Sequence, residues 1–156
     1  MAKPPSIFSY RRSLAGNLLI TREATLALMR PALREGRLTE QQWRLLRVIE
    51  VEEGPSEPTR LAHLAQIQGP SATRIMRDLV EEGLIDRIYD EIDSRRSVLA
   101  LTEKGKKRLA LVTAAIDANL APHLGTFGRD RLNALMDELR ALTAILVAGA
   151  SEAAED

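Results

Sequence analysis

The sequence predicts a mostly α fold with a small β-hairpin wing. Three observations carry that prediction. Apolar residues recur at helical spacing through most of the 156 residues. Only between Gly83 and Thr102 does the period shorten to two, as in a strand. The breaks between periodic segments hold cap and turn residues, among them Thr39 with Gln42 and the run Gly54-Pro55-Ser56-Glu57-Pro58.

From Ser13 to about Arg30, the residues Leu14, Leu18, Leu19, Ala24, Leu26 and Leu28 suit a long helix buried on more than one side, and Pro31 is expected to kink or break it. Thr39-Glu40-Gln41-Gln42 reads as a capping box that opens a second helix through Trp43, Leu45, Leu46 and Ile49, ending near Glu53. Leu61, Ala62, Leu64 and Ala65 give one face of a short helix over 59–66, after which Gln68-Gly69-Pro70 turns the chain. Pro70 at the first helical position then starts a helix through Ile75, Met76, Leu79 and Val80, with Gly83 as the residue just past its end. Leu84–Asp90 and Ser97–Leu101 follow as two strands around the polar link 91–96. Helix, turn, helix and two-stranded hairpin in this order predict a winged helix-turn-helix.

Thr102 can cap a fifth helix striped by Leu109, Val112, Ile116 and Leu120 and ended by Pro122 and Gly125. Gly128-Arg129-Asp130 opens a sixth, striped by Leu132, Leu135, Leu139, Leu142 and Leu146. A small hairpin-bearing module cannot cover both stripes, so a homodimer is expected. The chain is therefore divided into a winged helix-turn-helix module over 38–105, dimerisation helices over 10–37 and 106–148, and a flexible acidic tail over 149–156.

Composition narrows the class. The chain is 45% hydrophobic and 28% charged, with no apolar run near the roughly 18 residues that a membrane-spanning helix needs. No export signal is visible before the first amphipathic segment, so a cytoplasmic location is expected. The absence of cysteine excludes disulfides, thiolate metal sites and thiol sensing. Lys and Arg number 22 against 22 Asp and Glu, so net charge by itself gives no support to nucleic-acid binding. The charge is segregated, however: Arg74, Arg77, Arg95 and Arg96 fall in one stretch, and Glu152, Glu155 and Asp156 at the C-terminus.

A helix of ordinary diameter fits the major groove of duplex DNA, and a wing can reach the adjacent minor groove. The exposed half of the second helix of the motif carries Ser71, Thr73, Arg74 and Arg77, hydroxyls and guanidiniums suited to phosphates and base edges. The same residues also fit an ordinary solvated helix face. Asp93-Ser94-Arg95-Arg96 at the wing tip places two arginines where a narrow minor groove attracts them, or else forms a polar hairpin loop. Lys104, Lys106, Lys107 and Arg108 add either phosphate contacts or a solvated face.

The segments LTEQQWRLLRVI (Leu38 to Ile49), LAHLAQIQGPSATRIMRDLVEEGLIDR (Leu61 to Arg87) and DSRRSVLALTEKG (Asp93 to Gly105) together resemble the MarR family, named for the multiple-antibiotic-resistance regulator. The resemblance implies a triangular homodimer with interlocked terminal helices and two winged modules reading a pseudo-palindromic duplex. It places Ser71, Thr73, Arg74 and Arg77 on the major-groove helix and Arg95 at the minor-groove wing tip. Arg22-Glu23-Ala24, Arg30-Pro31 and Leu38–Arg44 are similar to the subgroup that represses degradation of homoprotocatechuate and related aromatic acids. That likeness implies a small aromatic carboxylate as effector, with Arg22 pairing its carboxylate and Trp43 walling its ring. Core packing for Trp43 and an intersubunit ion pair for Arg22 are the competing roles.

No enzyme is expected. His63 and His123 lie in no metal-ligand or nucleophile-activating motif, Glu52-Glu53 and Glu81-Glu82 point apart on a helix, and no glycine-rich phosphate loop occurs. No cofactor or metal is expected. A ligand-responsive repressor is the leading expectation, and a winged-helix module that binds an acidic protein partner is the alternative.

Overall fold

The computed structural model describes residues 13–52, 54–90, 93 and 96–152, with Ser151 and Glu152 as backbone only. The order is α1 (Leu14–Glu35), α2 (Glu40–Val51), α3 (Pro58–Leu64), α4 (Gly69–Glu81), β1 (Ile85–Tyr89), β2 (Ser97–Leu101), α5 (Glu103–Phe127) and α6 (Arg129–Glu152). The chain divides into two compact units, Met1–Asp117 and Ala118–Asp156, with the division falling inside α5. No described helix is long and apolar enough to cross a membrane.

Local sequence explains most helix ends. The Thr39 hydroxyl accepts from the Gln42 N–H at 3.1 Å while the Gln42 side chain accepts from the Thr39 N–H at 2.8 Å, the reciprocal capping box. Three helices end in the same way, with one residue in the left-handed region and a six-to-one backbone bond behind it. Those residues are Arg37 after α1, Gln66 after α3 and Gly83 after α4. The closing bonds are Leu38 N–H to Leu33 O, Ile67 N–H to Ala62 O and Leu84 N–H to Leu79 O, each 2.9 Å.

Pro31, expected to kink or break a helix, and Pro122, expected to end one, both lie within helices. α1 continues through Pro31 to Glu35. Burial of Met29, Ala32 and Leu33 and the closing bond to Leu33 hold the last turn against the single donor that Pro31 lacks. α5 likewise runs through Pro122 and Gly125 to Phe127, and Gly128, at φ 99°, makes the turn into α6. α1 is also less enclosed than its pattern suggests, since Leu14, Leu18, Leu19 and Ile20 are exposed. α6 keeps residues 149–152 helical; 153–156, the rest of the expected tail, lie outside the described residues.

The core lies in the first unit. Leu45 and Leu46 of α2, Leu61 of α3, Leu79 of α4, Leu84, Ile85 of β1, Leu99 of β2 and Leu109 of α5 are all fully buried. The strands pair antiparallel, with Ile85 opposite Leu101 and Tyr89 opposite Ser97. Ser56, in the α2–α3 loop, exchanges backbone hydrogen bonds with Leu99 at 3.2 and 2.9 Å, adding a one-residue third strand.

α4 is keyed to the start of α5. Thr102 Oγ1 donates to Gly83 O at 2.8 Å and accepts from Gly105 N–H at 2.9 Å, serving both helix ends at once. Lys104 Nζ donates to Glu82 O, and Arg108 donates to the Glu82 carboxylate at 3.0 Å. Gly105 allows this approach, because a Cβ there would sit 2.0 Å from Leu84 O. Gly36 plays the same part between α1 and α5, where a Cβ would meet Val112 Cγ2 at 2.1 Å.

Candidate nucleic-acid interface

α4 is sharply two-sided. Ala72, Ile75, Met76 and Leu79 are buried, while Ser71, Thr73, Arg74 and Arg77 are all exposed, as the 3.6-residue period requires. Arg74 and Arg77 side chains are 78% and 64% exposed. Their partners are carboxylates of the same helix: Arg74 lies 3.8 Å from Asp78, and Arg77 lies 3.3 Å from Asp78 and 3.7 Å from Glu81. Such exposed pairs are worth at most about 1 kcal/mol and exchange readily for a phosphate. The first turn of α4 carries no side-chain cap, and Gln68, Gly69 and Pro70 are exposed.

Asp90 organises the wing. Its carboxylate accepts from Asp93 N–H at 3.0 Å, and its N–H donates to Arg96 O at 3.0 Å. Arg96 is exposed, with its guanidinium 3.8 Å from Glu57, the residue before α3. Arg95 lies outside the described residues. On β1, the Arg87 guanidinium stands over the Tyr89 ring, 5.9 Å from its centroid. The basic run after the wing is largely engaged within the protein: Lys104 and Arg108 hold Glu82, and Lys106 pairs with Glu103 at 2.7 Å.

Sequence reasoning missed Arg60 of α3. It grips Glu52, the residue that ends α2, with Nε at 2.7 Å and a terminal nitrogen at 3.3 Å. Hydrogen bonding from Arg60, more than its charge, holds the Glu52 carboxyl below the usual carboxylate range. Eight residues and a loop separate the partners, so no local pattern signals the pair.

Glu40, on the helix that carries Trp43, links Arg22 of α1 to α2. Arg22 lies 2.9 Å from Glu23 and 3.6 Å from Glu40, which also takes Arg44 at 3.1 Å. Trp43 is half-buried, and its Nε1 donates to Thr113 Oγ1 of α5 at 3.2 Å. Arg44 Nε is buried without a hydrogen-bond partner among the described residues. Arg22 is thus within reach of the helix that carries Trp43, and two carboxylates of its own chain already engage it.

A model of the MarR family matches residues 38–98, from the residue before Thr39 into β2. Over 137 residues the chain is 33% identical to the HTH-type transcriptional regulator FarR of Neisseria gonorrhoeae, spanning 88% of this chain and 93% of that protein. The chain belongs to the MarR family. This MarR-family regulator is also 38% identical over 95 residues to the homoprotocatechuate degradative operon repressor of Escherichia coli, 60% of this chain and 63% of the repressor. A crystal structure of NadR in complex with 4-hydroxyphenylacetate superposes with a TM-score of 0.73 at 31% identity, over 91% of this chain and 97% of NadR. The protein is accordingly a winged-helix transcription regulator that binds DNA.

Proposed function

We propose that this MarR-family protein acts in the cytoplasm as a homodimeric repressor. α4 enters the major groove with Ser71, Thr73, Arg74 and Arg77, and the wing approaches the minor groove with Arg95 and Arg96. The observation that carries this reading is the division of α4, whose apolar side is sunk in the core while its polar side presents two exposed guanidiniums. The uncapped first turn beside them suits a phosphate. The protein works by binding rather than by catalysis.

Exposed apolar side chains support the dimer. In the first unit Leu18, Leu19 and Ile20 of α1 are open to solvent; in the second, Ile145, Leu146 and Val147 of α6 are 53–69% exposed. Stretches of this kind are covered in a stable protein. The effector is a small aromatic carboxylate held by Arg22 and Trp43. Support comes from NadR, which was crystallised with 4-hydroxyphenylacetate, and from the ion pair that brings Arg22 to Glu40 of α2, the helix that carries Trp43.

Binding isotherms at two salt concentrations, on duplexes selected from a random pool, test the DNA reading. Arg74→Ala and Arg77→Ala should each cost about 1–3 kcal/mol and flatten the salt dependence, while wild-type affinity falls steeply with salt. Full affinity in both variants and in Arg96→Ala would move the reading to a protein-interaction module.

A further inference from the structure

Near the start of α4 the polar face carries an apolar spot. Thr73 donates its hydroxyl hydrogen to the carbonyl oxygen of Gly69, one turn back, at 3.2 Å. The hydroxyl and the methyl of a threonine occupy two different staggered positions, so committing the hydroxyl to the helix backbone leaves the methyl as the group an incoming surface meets. Thr73 is exposed, and so is Pro70, its neighbour three residues back on the same side of the helix. Pro70 has no N–H to donate. At Gly69 nothing lies within 4 Å of where a Cβ would stand, so the spot is open on its third side. Arg74 and Arg77 follow it along the same exposed side of the helix.

A methyl beside a proline ring, on a face that otherwise carries hydroxyls, guanidiniums and their carboxylate partners, cannot read a donor or an acceptor. The one apolar mark in the major groove is the C5-methyl of thymine. We infer that the Thr73 methyl, backed by Pro70, recognises a thymine methyl in each half-site, which makes Thr73 a specificity-determining residue that acts through its carbon rather than its oxygen. The inference rests on α4 lying in the major groove. Ser71 cannot share this role, because it carries no methyl.

The test uses the full-length protein and a selected duplex in which thymines are replaced one at a time by uracil, which pairs identically and lacks only the methyl. One position per half-site should lower wild-type affinity on substitution, by about fourfold, the worth of one buried methyl group. Thr73→Ser should bind thymine DNA about fourfold more weakly per half-site and be indifferent to uracil at that position. Thr73→Val, which keeps the shape and loses the hydroxyl, should behave as wild type. A wild type indifferent to uracil everywhere, or a Thr73→Val variant as weak as Thr73→Ser, overturns the inference. Arg74→Ala and Arg77→Ala on the same duplex separate the two levels of failure. If they lose affinity while uracil is silent, α4 still reads the groove and only the role of Thr73 falls; if they too keep full affinity, the placement of α4 falls with it.

Discussion

Arg60 of α3 holds Glu52 at the end of α2 through two nitrogen atoms, at 2.7 and 3.3 Å. The pair ties the helix before the DNA-binding motif to the first helix of the motif. Because the folded protein depresses the Glu52 carboxyl, chiefly through the Arg60 hydrogen bond, the stability it contributes is present above the unfolded value of about 4.3 and is lost as the pH falls through the lower folded value. Thermal melts should therefore show wild type above Glu52→Gln at pH 7, with the gap closing as the pH drops through that window. A gap unchanged down to the acid transition would show that the ion pair contributes nothing.

Gly105→Ala should destabilise the protein by about 1–3 kcal/mol, because the new methyl would have to displace the Leu84 carbonyl at the α4–β1 junction rather than a movable side chain. Urea unfolding with an unchanged slope and a lowered midpoint is the expected result. A variant as stable as wild type would mean that the approach of α5 to this junction is looser than 2.0 Å suggests.

Arg22→Ala should leave DNA binding intact while weakening release by an aromatic acid such as 4-hydroxyphenylacetate. One charge-assisted pair is worth about 1.5–3 kcal/mol in isolation. Here the measured loss should be smaller, since an incoming carboxylate must first displace Glu23 or Glu40 from the guanidinium. Titrating the acid into protein–DNA complex reads the effect directly, and an unaltered response would assign Arg22 to bridging α1 and α2.

Sedimentation at micromolar concentration should find a dimer, with an interface above about 2,000 Å². Leu142→Glu, on a helix that has no buried side chain among the described residues, should yield monomer and make the melting temperature concentration-independent. A wild type that stays monomeric while remaining folded would remove two-fold reading of DNA.

What could be read from the sequence depended on distance along the chain. Thr39 with Gln42, Gly83 past α4 and Thr102 before α5 are local signals, and each sits where its chemistry indicates. The exposure of Ser71, Thr73, Arg74 and Arg77 follows from period alone. Arg37 and Gln66 close helices in the left-handed region without being glycine, and nothing in their side chains announces it. The break allowed at Pro31 and the end expected at Pro122 do not occur, because helix continuation there is decided by the rest of the helix and its packing rather than by one missing donor. The pairs that shape both candidate sites, Arg60 with Glu52, Arg22 with Glu40, and Trp43 with Thr113, join separate helices and have no pattern to find.

The two bonds between Ser56 and Leu99 use main-chain atoms only. Apart from Glu57, whose carboxylate lies 3.8 Å from Arg96, side chains in the α2–α3 loop can therefore drift without moving the hairpin, and the loop position most sensitive to substitution is the one where a proline would remove the Ser56 donor. The surface proposed to meet DNA is correspondingly separable from the frame that carries it. Exchanging exposed residues of α4 should retarget the protein to new sequences while the wing stays where it is, which makes this module a practical starting point for altered-specificity regulators.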